Sequence, residues 1–405
     1  ASFFATASYS LLQRYILGGS IRFDGSDLFG VDPKYRYLPL YSVSGSWRVM
    51  EEPFMKNQKN WLDNLAIRTS YGIQGNIDKK TSPYLLGKYE VRSLLPDGSE
   101  QIISIASAPN DKLRWEKTKS VNLGVDISVL KQRVNLSVDY YYRKGTDLIG
   151  FQMLPLETGF YSTNINWASM TNKGIEIALR TENITTKDFS WYTNLNFAYN
   201  KNKVLKEKVG DQNVLPSREG YPAGAIFALK TDGLDEDGLP LFVDKQGNKV
   251  TLEELYKLQD VWGIGLASSD VTPLEERGFY SYMGTKDAPY TGGILNTFSY
   301  KNWELSCNIA YYLGAHVQIR PPYSNNSTHI GQNTDTSILD RWTPENPDGK
   351  FPAIWDGVTR SLEYNWYNSR EDIYRSLDIW VKKQNYFRLQ NVRLAYNIPV
   401  SYTHL

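Results

Sequence analysis

The side chains that most often do chemistry are scarce in this chain. Its 405 residues include three histidines, His316, His329 and His404, and no two of them are spaced as a metal-binding pair. Cys307 is the sole cysteine, which excludes an internal disulfide and a cysteine-based zinc site. Nucleophile-elbow, phosphate-loop and complete dinucleotide-binding motifs do not occur. We interpret the histidines as solvated loop residues, and we expect neither enzymatic activity nor a cofactor.

One acidic stretch partly matches a calcium-binding loop. Asp235, Asp237, Gly238 and Asp244 fall where the third, fifth, sixth and twelfth positions of such a loop would lie. The first position would be Gly233, which supplies no side-chain oxygen. The sequence therefore favours a polar turn, and a weak calcium site is the alternative.

Aromatic side chains are the third group with chemical potential, because they make up 14% of the chain. Trp342, Trp355 and Trp366 stand in a long stretch without regular alternation and are the candidates for contact with a partner or a substrate. Flat rings can stack on sugars, anchor a partner protein or pack against each other within a loop. All three interpretations are compatible with the sequence.

These residues must be positioned by segments of about ten residues in which apolar and polar side chains alternate. In the clearest example, Val134, Leu136 and Val138 share one face, whereas Asn135 and Ser137 share the other. This period of two predicts β-strands. About eleven strands are predicted, at 3–12, 15–24, 39–49, 64–73, 121–129, 134–143, 173–182, 191–200, 291–300, 303–312 and 386–398.

The connections between the predicted strands alternate in length. The short ones are 13–14, 131–133, 183–188 and 301–302. The long ones are 25–38, 74–114, 144–172, 201–290 and 314–385, and the 50–63 connection is longer than the alternation predicts. Short periplasmic turns and long outer loops are typical of an antiparallel transmembrane β-barrel. We therefore predict an all-β fold in which about eleven strands form an open portion of a larger barrel with long outer loops.

Charge and hydropathy exclude two other classes of protein. The 45 lysine and arginine residues nearly balance the 44 aspartate and glutamate residues, so the chain has no basic field for nucleic acid. No run of 18 apolar residues occurs, which excludes a membrane-spanning helix. A membrane β-barrel remains compatible because its strands hide hydrophobicity in alternation.

Six segments resemble the SusC/RagA family of TonB-linked outer-membrane transporters, in the order expected for that family. The similarity is weakest over 225–290, and Ala168 stands where a glycine is usual in the family. The segments are SYGIQGN (70–76), LRWEKTKSVNLGVD (113–126), DYYYRKGTDLI (139–149), NWASMTNKGIE (166–176), RWTPENPDGKFP (341–352) and YFRLQNVRLAYNIP (386–399).

The resemblance implies a bacterial outer-membrane location and TonB-energised import of large nutrients, either oligosaccharides or peptides. It implies a SusD-like surface lipoprotein as a partner, contact with outer-membrane lipid, and TonB acting through an N-terminal region. It also implies that a signal peptide, a TonB box and a plug domain precede Ala1 and that further strands follow. Residues 1–405 would then be one partial barrel domain.

Two alternatives would use the same strands. One is a passive outer-membrane porin or adhesin, and the other is a secreted all-β glycan-binding protein. In the barrel interpretation we expect docking rather than catalysis at the long loops. Aromatic-rich loops of this length are rarely disordered, so 201–290 and 314–385 should pack against each other, with a short helix at 252–261.

Overall fold

The structure is a computed structural model of the 405-residue chain. It describes these residues: 2–25, 37–58, 60–79, 81–95, 98–160, 162–209, 215–244, 246–252, 278–323, 333–354 and 370–398. Strands dominate the described part of the chain, and no helix within it has the length and apolar character needed to cross a membrane.

Eighteen strands are found in the described residues. In chain order they are β1 (Ser2–Leu11), β2 (Tyr15–Gly25), β3 (Tyr37–Arg48), β4 (Leu62–Asn76), β5 (Leu86–Leu95), β6 (Gly98–Ser107), β7 (Glu116–Val129), β8 (Val134–Met153), β9 (Ser162–Thr185), β10 (Phe189–Lys206), β11 (Ala225–Leu229), β12 (Thr231–Leu234), β13 (Pro240–Val243), β14 (Lys249–Val250), β15 (Tyr280–Thr285), β16 (Tyr290–Tyr300), β17 (Trp303–Gln318) and β18 (Val381–Tyr396).

Eleven of these strands form one antiparallel sheet. Its order is β1-β2-β3-β4-β7-β8-β9-β10-β16-β17-β18, so every strand pairs with its neighbours in the sequence of large strands. Within the described residues, β1 pairs only with β2 and β18 only with β17, and the sheet does not close. The predicted open meander of about eleven strands is confirmed.

Strand register separates the two faces of the sheet. Val138 pairs with Val125 on one side and with Ile177 on the other, and these three side chains share a face because alternate residues of a strand point the same way. Ser137, the preceding residue of β8, pairs with Asp126 of β7, and both side chains point to the opposite face. We call the face of Val138 the apolar face and that of Ser137 the polar face. Large apolar side chains on the apolar face are exposed, including Leu123 at 50%.

The antiparallel order places successive connections at opposite ends of the sheet. The strand ends that border the connections 26–36, 77–115, 154–161, 207–289 and 319–380 lie at one end of the sheet, which we call the long-connection end. The connections 12–14, 49–61, 130–133, 186–188 and 301–302 lie at the short-connection end.

The predicted long connection at 144–172 is wrong. β8 continues to Met153 and β9 begins at Ser162, so an eight-residue link closes one long hairpin. The cause lies in the residues from Arg143 to Asp147, which are polar or glycine at every position. A strand that is wet on both faces loses the alternation by which it could be predicted.

The 49–61 connection owes its extra length to local structure at the short-connection end. It contains two 3₁₀-helices, Val49–Glu51 and Pro53–Gln58. Between them Glu52 is 7% exposed and accepts hydrogen bonds from Tyr15 Oη at 2.5 Å and Trp47 Nε1 at 3.0 Å. Arg14 Nη1 lies 3.3 Å from the same carboxylate. These bonds hold the pKa of Glu52 below its usual value.

The long connections carry structure of their own. β5 and β6 form a separate hairpin, β11 pairs with β15, and β12, β13 and β14 form a three-stranded sheet. Two further 3₁₀-helices, Thr336–Asp340 and Asp378–Trp380, and the short helix α1 (Arg370–Arg375) lie in the last connection. The helix predicted at 252–261 lies outside the described residues except for Leu252.

The main hydrophobic core lies in these connections and not in the large sheet. It is built jointly by 207–289 and 319–380, and we call their described residues the loop unit. For the described residues, this confirms the prediction that the two longest loops pack against each other. The buried core residues are Phe227, Leu229, Leu239, Phe242, Leu252, Phe279, Tyr280, Tyr323, Ile373, Tyr374, Leu377 and Trp380.

Candidate functional site

The junction between the sheet and the long connections is fixed by Glu116. Its Oε2 accepts a hydrogen bond from Asn76 Nδ2 at 2.8 Å, and its Oε1 accepts one from the backbone N–H of Ile149 at 2.9 Å. The neighbouring residue Trp115 is 8% exposed, and its ring packs beside Gly75. Three of the segments that resemble the SusC/RagA family therefore meet at one carboxylate.

A fourth such segment joins the same junction through Asn166. Its Oδ1 accepts a hydrogen bond from Arg114 N at 2.9 Å, and its Nδ2 donates to Arg114 O and Asp147 O at 2.7 Å each. The Arg114 guanidinium in turn pairs with Asp147 at 2.6 Å. Asp147 adopts a positive φ of 57°, which interrupts the regular strand. The junction thus holds the bases of the connections 77–115 and 154–161 together.

An arginine and two aspartates cross the polar face between β4, β7 and β8. Arg68 lies 2.6 Å from Asp126 and 3.0 Å from Asp139, and Ser137 Oγ donates to Asp126 at 2.7 Å. A Cβ at Gly124 would lie 2.4 Å from Asp139 Oδ1, so the glycine leaves room for the arginine to reach both acids. This polar, charged surface fits a wet interior.

The core of the loop unit is aromatic. Trp380 is 2% exposed, and its ring stacks on Phe351 at a centroid distance of 5.3 Å. Tyr374 meets Trp380 edge-on at 5.3 Å and accepts its Nε1–H hydrogen bond on the backbone oxygen at 2.7 Å. Burial raises the pKa of Tyr323, which lies 6.0 Å from Tyr374. The unit therefore has a dry interior that fixes its shape.

Hydrogen bonds join the two connections that build the loop unit. Leu229 N donates to Ser376 O at 2.8 Å, and within the second connection Ile319 N donates to Trp380 O at 2.9 Å. Thr231 Oγ1 also donates to Asp378 Oδ1 at 2.6 Å. Residues almost 150 positions apart in sequence are therefore locked into one structure.

The loop unit rests on the sheet at His316, which corrects the interpretation of this residue as a solvated loop histidine. His316 lies in β17, and its Nδ1 is buried without a hydrogen-bond partner in the described structure. The imidazole presses on Gly284 of β15, where an added Cβ would lie 2.3 Å from Nδ1. Gly284 has φ +137°, so only glycine fits. The other two histidines, His329 and His404, lie outside the described residues.

Of the three candidate tryptophans, only Trp342 falls in the described residues. It is half-buried and covers Gly238, where a Cβ would lie 2.3 Å from its ring. Its backbone N–H donates to Phe351 O at 2.8 Å, and Ala353 N donates to Gly238 O at 2.8 Å. Packing within the loop unit thus accounts for part of the Trp342 surface. Trp355 and Trp366 lie outside the described residues.

The candidate calcium residues shape two turns. Asp235 Oδ1 accepts hydrogen bonds from the N–H groups of Asp237 at 3.0 Å and Leu239 at 2.8 Å. Asp244 accepts from Asn248 N at 2.8 Å and from Asn248 Nδ2 at 2.9 Å, and these bonds lower the Asp244 pKa. The described part of the chain contains no group of three or more histidine, cysteine, aspartate or glutamate side chains placed to hold a metal ion.

An exposed aromatic pair at the edge of the loop unit, Tyr221 with Tyr282, is not predictable as a pair from local sequence. Tyr221 and Tyr282 are 39% and 38% exposed, and their ring centroids lie 4.9 Å apart. The ring of Phe227, a core residue, packs against both, with its centroid 5.3 Å from that of Tyr221 and 6.1 Å from that of Tyr282. Burial raises the pKa of Tyr282. The pair offers neutral, flat, accessible rings, and it was missed because 61 residues separate its members.

The chain is similar to known β-barrel receptors. Residues 1–309 match the family described as TonB dependent receptor-like, beta-barrel. The chain is 32% identical to TonB-dependent receptor P26 of Formosa agariphila, over 99% of this chain and 39% of that protein. It is 31% identical to TonB-dependent receptor SusC of Bacteroides thetaiotaomicron, over 74% of this chain and 34% of that protein.

The fold also agrees with that of a solved structure. The structure of the RagAB peptide transporter superposes with a TM-score of 0.75 at 25% identity, covering 99% of this chain and 41% of that chain. The chain spans about two fifths of the length of the first of these relatives. The chain belongs to the TonB-dependent receptor family, among its SusC/RagA-like members, and its eleven-stranded sheet is part of an outer-membrane β-barrel.

Proposed function

We propose that this chain is the barrel portion of a TonB-energised importer of large nutrients, either oligosaccharides or peptides. The observation that carries the proposal is the loop unit, because two long connections share one aromatic core directly at the end of an outer-membrane barrel. Connections held in place by a rigid scaffold carry binding sites disproportionately often. The loop unit would select and hold the nutrient before it passes through the barrel.

The two faces of the sheet suit this role. The apolar face exposes side chains such as Leu123 and Leu389, which would meet the acyl chains of the membrane. The polar face, with Arg68 and its two aspartates, would line a water-filled passage for a polar cargo. No covalent step is required of the chain, since transport depends on binding and on a supply of energy.

The partners follow from the same assignment. A SusD-like surface lipoprotein would cover the long-connection end, where the loop unit presents rings such as Tyr221 and Tyr282. TonB would supply energy from the inner membrane through a plug domain of the complete protein. The name of the RagAB peptide transporter supports a peptide as cargo, and stacked aromatic rings are equally suited to a sugar. The candidate residues Trp342, Trp355 and Trp366 would take part in docking.

The test replaces Trp342, Trp355 and Trp366 with alanine in the complete protein. Copurification of the lipoprotein and growth on the cognate nutrient are then measured together with the amount of folded barrel in the outer membrane. We expect folded barrel, reduced lipoprotein capture and slower growth. Trp303→Ala is the matched control, because Trp303 is exposed at the short-connection end.

The same experiment separates import from passive diffusion. Uptake by a TonB-dependent importer stops when the TonB system is deleted, whereas uptake through a passive porin continues. Unchanged partner binding and growth in the triple variant would show that the loops are not the docking surface. Uptake that survives loss of TonB would favour the porin alternative.

A further inference from the structure

Lysines on β7 to β10 collect on the apolar face at the long-connection end. Lys119 of β7 is paired directly with Lys144 of β8, and Lys173 of β9 is paired directly with Lys201 of β10. Lys144 also pairs with Thr171, whose other neighbour is Lys203. Strand alternation puts all of these side chains on the face of Val121, Tyr142 and Ile175. We call these five lysines the lysine patch.

The five lysines of the patch carry little compensating charge, although Lys117 beside them on the same face pairs with Asp147 at 3.6 Å. The five side chains of the patch form no ion pair with another described residue, and Lys119, Lys173, Lys201 and Lys203 are exposed. Carboxylates of the same strands, such as Asp139 and Glu176, alternate to the polar face. Like charges placed directly opposite each other destabilise a strand pair. Two such pairs side by side indicate that an anion outside the chain neutralises them.

The lysine patch lies towards one end of its strands. All seven lysines of β7 to β10 lie in the halves of these strands nearest the long connections, and none lies near the short-connection end. On the same face, the next positions towards the middle of the strands include Tyr142, Tyr199 and Tyr290. A row of tyrosines on the lipid-facing side marks the boundary between acyl chains and head groups in a barrel. The lysines therefore stand at head-group level.

A tryptophan extends the patch away from the tyrosines. Trp167 of β9 is 47% exposed, and the ammonium groups of Lys206 and Lys208 lie 5.5 Å and 4.6 Å from the centre of its ring. Lys208 is further held by Gln152 Oε1 at 3.2 Å. These contacts order two more cations beside the five, and a flat ring between them offers a surface for a sugar.

We propose that the lysine patch, with Trp167 and its two lysines, binds the phosphate-bearing saccharide head group of a lipid in the outer leaflet. The lipid acyl chains would lie on the apolar residues below the tyrosines, and its phosphates would bridge the paired lysines. Clusters of four to eight basic residues at a membrane surface recognise anionic lipid in this way. The inference rests on the orientation of the barrel in the membrane and does not depend on the imported nutrient.

The test compares two triple variants of the complete protein, purified in nonionic detergent. The first is Lys144→Gln, Lys173→Gln and Lys201→Gln. The control is Lys131→Gln, Lys187→Gln and Lys301→Gln, which removes the same charge from the short-connection end. Binding of diphosphoryl lipid A is titrated by native mass spectrometry, and a phosphate-free lipid A and inorganic phosphate serve as comparison probes.

Each lysine at an anionic surface strengthens binding about fivefold, so three substitutions weaken it by up to about a hundredfold at low salt. We expect a loss of at least about tenfold for the patch variant and little change for the control. Removal of like-charge pairs should leave the lipid-free patch variant as heat-stable as the original protein, so a failure to fold is separable. Equal lipid A affinity in both variants, equal binding of phosphate-free lipid A, or binding of inorganic phosphate as tight as that of lipid A would each overturn the proposal.

Discussion

The most direct test of the loop unit is the removal of its central tryptophan. In Trp380→Ala, the stack on Phe351, the edge contact with Tyr374 and the hydrogen bond to Tyr374 O are all lost. Because Trp380 is 2% exposed, truncation to alanine leaves a cavity, and such changes cost about 3–5 kcal/mol. At about 4 kcal/mol, the open form of the loop unit would become roughly a thousand times more populated.

The large sheet should be spared by this change. Trp380 ends the last connection, and its partners Phe351 and Tyr374 belong to the loop unit, whereas β18 begins only at Val381. The eleven strands are held by their own backbone ladder. We therefore expect a folded, heat-modifiable barrel with a loop unit that opens far more often.

Limited proteolysis of intact cells measures this opening, because cleavage tracks the open population when reclosing is fast. Trp380→Phe retains a ring beside Phe351 and loses the indole N–H donor, which costs about 1–3 kcal/mol, so its cleavage rate should be intermediate. Trp303→Ala at the opposite end should not change the rate. Unchanged cleavage in Trp380→Ala, or unfolding of barrel and loops in one transition, would refute a separate loop unit with an aromatic core.

Three further predictions test other parts of the chain. Gly238→Ala should destabilise the loop unit by about 1–3 kcal/mol, because Gly238 has a φ of +75° and the new Cβ would meet the Trp342 ring. Adding Trp342→Ala removes that clash, so a double-mutant cycle measured by the proteolytic cleavage rate should show that part of the loss is recovered. Arg68→Met leaves Asp126 and Asp139 without their cation on a partly exposed surface, and we expect a loss of about 1 kcal/mol in urea unfolding that shrinks at high salt. The pKa of Glu52 is lowered in the folded protein, so the carboxylate stabilises the fold fully above its ordinary pKa of 4.5. This stabilisation disappears as the pH falls through the lower pKa of the folded state. Glu52→Gln should therefore make the unfolding free energy less dependent on pH on the acid side, and an unaltered pH dependence would contradict this role.

The strands of the barrel could be predicted because their two faces meet different solvents. In β8 the residues on one face, Val134, Leu136 and Val138, are apolar. Asn135 and Ser137 on the other face are polar, so the sequence alternates with a period of two. The same rule fails from Arg143 to Asp147, where every residue is polar or glycine. The prediction therefore ended β8 ten residues early and replaced a regular hairpin with a loop.

The sequence could predict that the long connections pack together, but not which of their segments contact each other. Abundant aromatic residues indicate burial, yet the pairing of Leu229 with Ser376 or of His316 with Gly284 is a contact between distant segments. No local period encodes such a contact. The burial of His316 in β17 was unpredictable for the same reason, since Gly284, which contacts its ring, lies in the connection 207–289.

The distribution of charge links these observations to the membrane. Strands that cross a bilayer can place lysines on the lipid side only where the acyl chains end, because each lysine at the bilayer midplane costs about 2–4 kcal/mol. Lys119, Lys173 and Lys201 obey this limit, and they stand above tyrosines on the same face. A solvated surface would be free to pair these lysines with acids, whereas these three form no ion pair with another described residue. The order of side chains on the apolar face is therefore the order expected of a surface that meets acyl chains at Val121 and Ile175 and, as we propose, anionic head groups at the lysines.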